Sequence, residues 1–261
     1  MEEKRFWVYF LGVGNALMNE PGIFHSNMIV GGPKKQEHNL FIDCGTDFPH
    51  SLRNAHMDYK DVKNLYISHL HGDHCGGLEW LGFITHFSEN TEAPKLYVAD
   101  SDIKKLEQML KVSMGASADM KNFGMEAYFD VIPYYDKNPF EIGDITYTPI
   151  KTLHIDEGYG KMYSHALFIE SPHGSALITT DTQFNSRLFM DYYRKADLIF
   201  HDCSTSPYKY SAHAHISELQ KLPAWIKEKM ILYHYSPDYN PLTAEGFKDY
   251  ARQNIYYYFG K

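Results

Sequence analysis

Short apolar runs alternate along this chain with longer stretches of helical period. RFWVYFLGV, SNMIV and NLFIDCG read as strands, with the turn GGPKKQ between the last two. LYISH predicts a further strand. PKLYVAD predicts another, leading into a helix over SDIKKLEQMLKV, with Ser101 or Asp102 placed to cap its start. A second group of strands is expected at AYFDVIPY, DITYTPI, SHALFIES and SALITTD. Beyond them NSRLFMDYYRKA, HISELQKLPAWIKEK and TAEGFKDYARQN have helical patterns, separated by the apolar runs DLIFHD and MILYHY. Mixed sheets with helices on their outer faces suit this order. There is no repeat, low-complexity segment or linker, so one domain spanning residues 1–261 is expected.

Composition narrows the class. The hydrophobic fraction of 44% is enough for a sizeable core, and the net charge of −8 does not draw a polyanion towards the molecule. The paired lysines Lys34–Lys35 and Lys104–Lys105 are isolated and read as solvated faces. The cysteines Cys44, Cys75 and Cys203 are odd in number and widely spaced, which implies no disulfide framework and favours a reducing compartment. With neither a signal pattern at MEEKRFWVYFLG nor an apolar run near membrane length, a cytoplasmic protein is expected, with no membrane partner.

The strand LYISH ends in chemistry. In SHLHGDHCGG, His69 and His71 are two residues apart, so on extended backbone their side chains point the same way. Gly72 allows the chain to turn, and Asp73 and His74 emerge beyond the turn. Four ligand-type groups converging from two directions suit two metal ions better than one. Imidazole with carboxylate favours zinc, and manganese or iron also suits. Further ligand types stand at the ends of predicted strands: His154 in IKTLHIDEG, Asp181 in LITTDTQF and His234 in MILYHYSPD.

SHLHGDH resembles the H-x-H-x-D-H signature of the metallo-β-lactamase superfamily, and NLFIDCG resembles the strand before it. His154, Asp181 and His234 follow in the order of that family's later ligands. The resemblance implies an αββα sandwich, two mixed sheets flanked by helices, with two divalent ions at one edge. His69, His71 and His154 would hold one ion, Asp73, His74 and His234 the other, and Asp181 would bridge. Within the superfamily, ADLIFHDCS, AHAHISELQKL and KMILYHYSPDYN resemble three consecutive motifs of the tRNase Z-like branch. Matching them makes His215 the general acid, with Asp202 behind it where the family has Glu, and His213 the competing choice. Asp73 counts among the catalytic groups as well as the ligands.

The activity implied is phosphodiester hydrolysis, in which two metal ions activate water and clamp a phosphoryl oxygen. The long Gly/Pro-rich arm with which tRNase Z enzymes grip tRNA is missing. So is their Arg-containing motif near the start, where MNEPGIFHSNMIV stands. A compact, arm-less chain resembles the phage and bacterial cyclic-nucleotide phosphodiesterases of the anti-Pycsar type. That implies a 3′,5′-cyclic nucleotide substrate opened to the 5′-monophosphate, a homodimer, and evasion of cyclic-nucleotide antiphage signalling. The alternatives are an RNA 3′-processing nuclease, a lactonase or thioesterase, and a non-catalytic metal-bound scaffold. A di-iron oxygen reductase is disfavoured, because that family wants Glu where this chain has His71. Asp43 is expected to support the ligand loop, Cys75 to be a buried thiol, and His165 and His201 to be structural. Tyr134 and Tyr135 are read as sheet or interface residues rather than base-stacking ones, and VSMGASADMKNFGM as a lid or a loop.

Overall fold

The computed structural model describes residues 5–33, 36–89, 91–115, 124–209, 212–237 and 245–260. The first half of the chain builds one sheet. Its strands are β1 (Phe6–Phe10), β2 (Met28–Gly31), β3 (Leu40–Ile42), β4 (Asn64–Ile67), β5 (Lys95–Ala99) and β6 (Asp130–Tyr134). β1 to β3 form an antiparallel meander, and β3 to β6 run parallel. Parallel neighbours need crossovers. These carry α1 (Phe48–Asn54), the short turn α2 (Gly72–Cys75), α3 (Leu78–His86) and α4 (Asp100–Met114).

The second half repeats the scheme. The strands β7 (Phe140–Ile142), β8 (Ile145–Asp156), β9 (Lys161–Ser171) and β10 (Gly174–Ile178) are antiparallel. β11 (Leu198–Asp202), β12 (Met230–Tyr233) and β13 (Asp249–Tyr250) then continue parallel to β10. α5 (Ser186–Lys195), α6 (Ile216–Leu219) and α7 (Ala224–Lys227) lie in its crossovers. The last strand, β14 (Tyr256–Phe259), leaves this half and pairs antiparallel with β1, Phe6 opposite Phe259. The result is two seven-stranded mixed sheets flanked by helices, the αββα sandwich expected from the sequence.

Alternation along the strands decides what each sheet buries. Val8 and Phe10 join one apolar cluster with Leu167, Phe200 and Tyr233 of the second sheet, while Tyr9 and Leu11 face the other way. Tyr66 likewise faces the second sheet, and Leu65 and Ile67 pack with Leu78, Leu81 and Leu106 of α3 and α4. The strands nearest the centre are apolar on both faces, as parallel strands covered on both sides must be.

The helices depart from the sequence reading at particular places. α4 starts one residue before Ser101, with Ala99 at its N-cap and no side-chain cap. HISELQKLPAWIKEK splits into α6 and α7 at Pro223, which has no amide hydrogen to continue a helix. The described part of TAEGFKDYARQN contains β13 and a turn at Gly246, whose φ of +84° breaks a helix. Residues 243–244 of that segment, residues 116–123 of the suggested lid and Lys34–Lys35 lie outside the described residues. Among the described residues no helix is long and apolar enough to cross a membrane.

Candidate metal centre

The ligand-type residues sit where parallel strands end, on one edge of the sandwich. His69 and His71 follow β4, and α2 turns Asp73 and His74 back towards them. Asp181, Asp202 and His234 lie after β10, at the end of β11 and after β12. His154 is in β8, at the point where its register with β9 shifts between Leu153 and Ile155, so a bulge sets its aim. Asp43, Thr180 and His234 all have positive φ, at +65°, +49° and +62°. Strain of this kind, on non-glycine residues around one cluster, is held by the surrounding structure and is typical of functional sites.

All the ligand-type residues predicted from the sequence come together. His69, His71, His154 and Asp181 form one group whose ligand atoms lie within 4.8 Å of one another, and Asp73, His74 and His234 form a second. Asp181 touches both: its Oδ2 is 3.8 Å from His69 Nε2 and 3.6 Å from His154 Nε2, and its Oδ1 is 3.4 Å from His234 Nε2. Asp73 Oδ2 stands 3.2 Å from His74 Nε2 and 3.4 Å from His234 Nε2.

Proton bookkeeping shows what this arrangement wants. His154 Nδ1 donates to the Ala212 carbonyl at 2.8 Å and His74 Nδ1 to Asp43 Oδ2 at 2.7 Å, so their Nε2 atoms point into the cluster, that of His154 with its lone pair and that of His74 able to offer one once its second proton leaves. His71 Nδ1 lies 3.1 Å from His69 Nε2 and 3.2 Å from His154 Nε2. Three ring nitrogens so close cannot satisfy one another with the hydrogens available. His74 Nε2 and Asp181 Oδ1 are buried with no hydrogen-bond partner. Inward-facing lone pairs on imidazole and carboxylate are the donor set for borderline divalent cations, so the residues fit a metal pair.

Without a cation the electrostatics are uneven. Burial lowers the His69 and His71 pKa values and takes His154 down to about 4. Burial also pulls His74 and His234 down, but the carboxylates around them prevail. Asp181 and Asp43 raise His74 well above the ordinary imidazole value, and Asp181 chiefly raises His234 to about 10. Asp181 is held well below the carboxylate range because His234 and His74 outweigh its burial.

Asp202 is the hub behind the cluster. Its Oδ2 accepts from the Thr182 amide at 3.0 Å and lies 3.0 Å from His213 Nδ1, while its Oδ1 is 3.3 Å from His234 Nδ1. Burial would raise its pKa, but His213 draws it down to about 2. His213 in turn is raised, the Asp202 carboxylate overcoming the effect of burial. The pairing of Asp202 with His215 expected from the sequence is corrected: the partner is His213. His215 is the N-cap of α6, its Nδ1 accepting from the Ser217 amide at 3.2 Å and its Nε2 bound to the Ser206 carbonyl at 2.9 Å. Both ring nitrogens are therefore spent, Nδ1 on the helix start and Nε2 on the loop after β11.

The other singled-out residues fall as follows. Asp43 accepts from the Ser68 amide (2.8 Å) and hydroxyl (2.9 Å) as well as from His74, fixing the loop and the ring together. Cys75 is buried, and burial pushes its thiol up to about 12. His165 binds the Ser68 carbonyl at 3.3 Å, and His201 bridges the Asp202 carbonyl and Tyr193. Tyr134 is buried, stacked on Tyr66 and bonded to the Ile67 carbonyl, whereas Tyr135 is exposed. Sequence reasoning missed the hydroxyl layer. Ser68 lies 3.0 Å from His69 Nδ1, Ser164 bonds Thr180, and Thr152 bonds Thr182. A serine directly before the first histidine and the TTDT run around Asp181 were the available signals.

This fold is that of the metallo-β-lactamase class. The chain is similar to the metallo-β-lactamase fold protein YhfI from Bacillus subtilis, with a TM-score of 0.76 over 98% of this chain and 99% of that one at 18% identity. Residues 6–257 match the family model of Anti-Pycsar protein Apyc1, and the chain belongs to that family. It is 30% identical to Anti-Pycsar protein Apyc1 of Paenibacillus sp. (strain J14) over 252 residues, covering 95% of this chain and 96% of the relative. It is 26% identical to the protein of that name from Bacillus phage BSP38 over 232 residues, covering 84% of this chain and 87% of the relative.

Proposed function

We propose that the protein is a dinuclear-metal phosphodiesterase that opens 3′,5′-cyclic nucleotides to nucleoside 5′-monophosphates. It would act as a homodimer in the cytoplasm of a bacterial or phage-infected cell, countering cyclic-nucleotide signalling as the names of its relatives suggest. The observation that carries this reading is the Asp202–His213 pair at 3.0 Å beside the ligand cluster, a proton source set next to a site for a cation-bound phosphate. A thioester, whose thiolate departs without a proton, has no need of such a source.

His69, His71 and His154 would hold one ion and Asp73, His74 and His234 the other, with Asp181 shared; zinc suits the donors best. Bound there, two divalent ions supply Lewis-acid stabilisation of phosphoryl oxygens and a nucleophile from water near neutral pH. Asp43 and the Ala212 carbonyl keep His74 and His154 in the tautomers that present Nε2. Asp202 holds His213 by Nδ1, which leaves Nε2 to deliver a proton to the departing 3′-oxygen. The side chain of His213 is 26% exposed while Asp202 is fully covered, so the pair is anchored on one side and open to substrate on the other.

A substrate panel with metal-loaded protein tests the proposal. It should contain purine and pyrimidine 3′,5′-cyclic nucleotides, precursor tRNA, a lactone and a thioester. The expected result is 5′-monophosphate from both base classes and little cleavage of tRNA. Efficient tRNA 3′-end cleavage with inert cyclic nucleotides would overturn it in favour of RNA processing.

A further inference from the structure

A cavity of about 380 Å³ opens directly beside His213, and nothing in the catalytic reading above uses it. Its walls come from three strand-end loops: Asn15 and Leu17 after β1, Ser204 and Ser206 after β11, and Ser236 after β12. The loops are tied together. The Asn15 amide donates to the Tyr235 carbonyl, the His234 amide to the Val13 carbonyl, and Gly14 bridges to both Tyr235 and His25. The walls are thus fixed to the backbone that carries His234.

The hydroxyls of this cavity are oriented. Asn15 Nδ2 donates to Ser236 Oγ at 3.0 Å, and Asn15 Oδ1 accepts from the Leu17 amide at 3.0 Å, which fixes the amide's direction. Ser236 Oγ therefore accepts from Asn15 and keeps its own hydrogen to give away. Ser206 Oγ accepts from the Tyr208 amide at 3.2 Å and is in the same position. The cavity presents hydroxyl donors, with Leu17, 79% exposed, as an apolar flank. Its complement is a small, largely uncharged group rich in hydrogen-bond acceptors.

Position says which part of the substrate that is. A general acid stands on the leaving-group side, and in a cyclic nucleotide the leaving 3′-oxygen belongs to the sugar. The sugar and base must then lie on the side of His213 away from the ligand cluster. We propose that the cavity lined by Asn15, Leu17, Ser204, Ser206 and Ser236 is the nucleoside subsite, with the hydroxyls of Ser206 and Ser236 donating to sugar oxygens and to acceptor atoms of the base. It rests on the phosphodiesterase reading, and it makes these residues determinants of how tightly the nucleotide is held. Hydroxyl donors meet acceptors on purines and pyrimidines alike, so the subsite tolerates both.

The test is binding to the metal-loaded protein, measured by titration calorimetry with a nucleoside 5′-monophosphate and, separately, with inorganic phosphate. A neutral hydrogen bond lost in such a site weakens binding about three- to tenfold. Ser236→Ala and Ser206→Ala should each weaken the nucleotide by about that factor and leave inorganic phosphate unchanged. Asn15→Ala should act through Ser236, so that adding it to Ser236→Ala costs little more. In kinetics the loss should fall on KM rather than kcat. Equal weakening of nucleotide and phosphate would place these residues at the metal centre, and unchanged nucleotide binding would remove them from the substrate altogether; both overturn the subsite. Failure of the wild-type protein to turn over any cyclic nucleotide would instead strike the phosphodiesterase reading.

Discussion

Asp202 reaches two histidines at once, His213 Nδ1 at 3.0 Å through one oxygen and His234 Nδ1 at 3.3 Å through the other. One carboxylate thus ties the candidate proton donor to a candidate ligand, and it sits in a fully buried position.

Replacing His213 by Ala should keep the fold and metal content but lower turnover of cyclic nucleotides by about 10²- to 10⁴-fold. The loss should shrink on an aryl phosphodiester whose leaving group needs no proton. His215→Ala removes a helix cap and should cost about 0.5–2 kcal/mol of stability with activity largely kept. Thermal melts and turnover of the two variants side by side decide the assignment, and a large activity loss in His215→Ala alone would reverse it.

Asp202→Asn should shift the pH profile. An acid works while it is protonated, so activity falls as pH rises through its pKa. Burial lowers the His213 pKa and the Asp202 carboxylate overcomes this, leaving it raised. Without that charge burial prevails, and the descending limb should move to lower pH. An unmoved limb would show that another group sets it.

Elemental analysis of the purified protein should find close to two transition-metal ions per chain. Asp181→Asn should reduce both, since its two oxygens face both histidine groups. Full activity with one ion would end the dinuclear assignment.

Loading the metal-free protein with zinc at pH 7 should release protons. The pKa of His234 is raised to about 10 and that of His74 stands well above the ordinary value, so both are protonated there until a cation displaces the proton. The same raised values mean that these two rings stabilise the metal-free fold fully below about pH 6.5, and that their contribution is lost as pH rises through the folded value. A pH indicator in weak buffer reads the release; proton uptake on loading would contradict the assignment of charge.

Asp43→Ala should weaken metal binding by about 10- to 100-fold without touching a ligand, because it frees the His74 ring and the Ser68 loop together. Competition with a chelator measures it. Unchanged affinity would show that the buried ring is held by packing alone.

Much of the site was legible because ligand residues fall at the ends of apolar strands, where the two-residue period fixes direction. His69 and His71 could be read that way, and Asp181 and His234 from their place at strand ends alone, since left-handed backbone at Thr180 and His234 sets their direction. The choice between His213 and His215 could not. They are two residues apart in an irregular segment, and what separates them is that His215 caps α6. The sandwich was legible from alternating runs, but β14 was not, since IYYYFG finds its meaning only opposite β1, at the far end of the chain. Nor was the break at Pro223 read from a continuous helical pattern.

That last pairing has a consequence for biosynthesis. As the chain leaves the ribosome, β1 emerges long before its partner and has an open edge on one side until Tyr256–Phe259 follow. The cluster is incomplete until His234 has appeared. Nascent chains stalled just before that point would hold the His69, His71, His154 and Asp181 group without the His234 that completes the second, so a full metal pair and closure of the first sheet both wait for residues 234–259. Contacts of such long sequence separation form slowly, and the protein gains its ligand set and the edge strand β14 almost together.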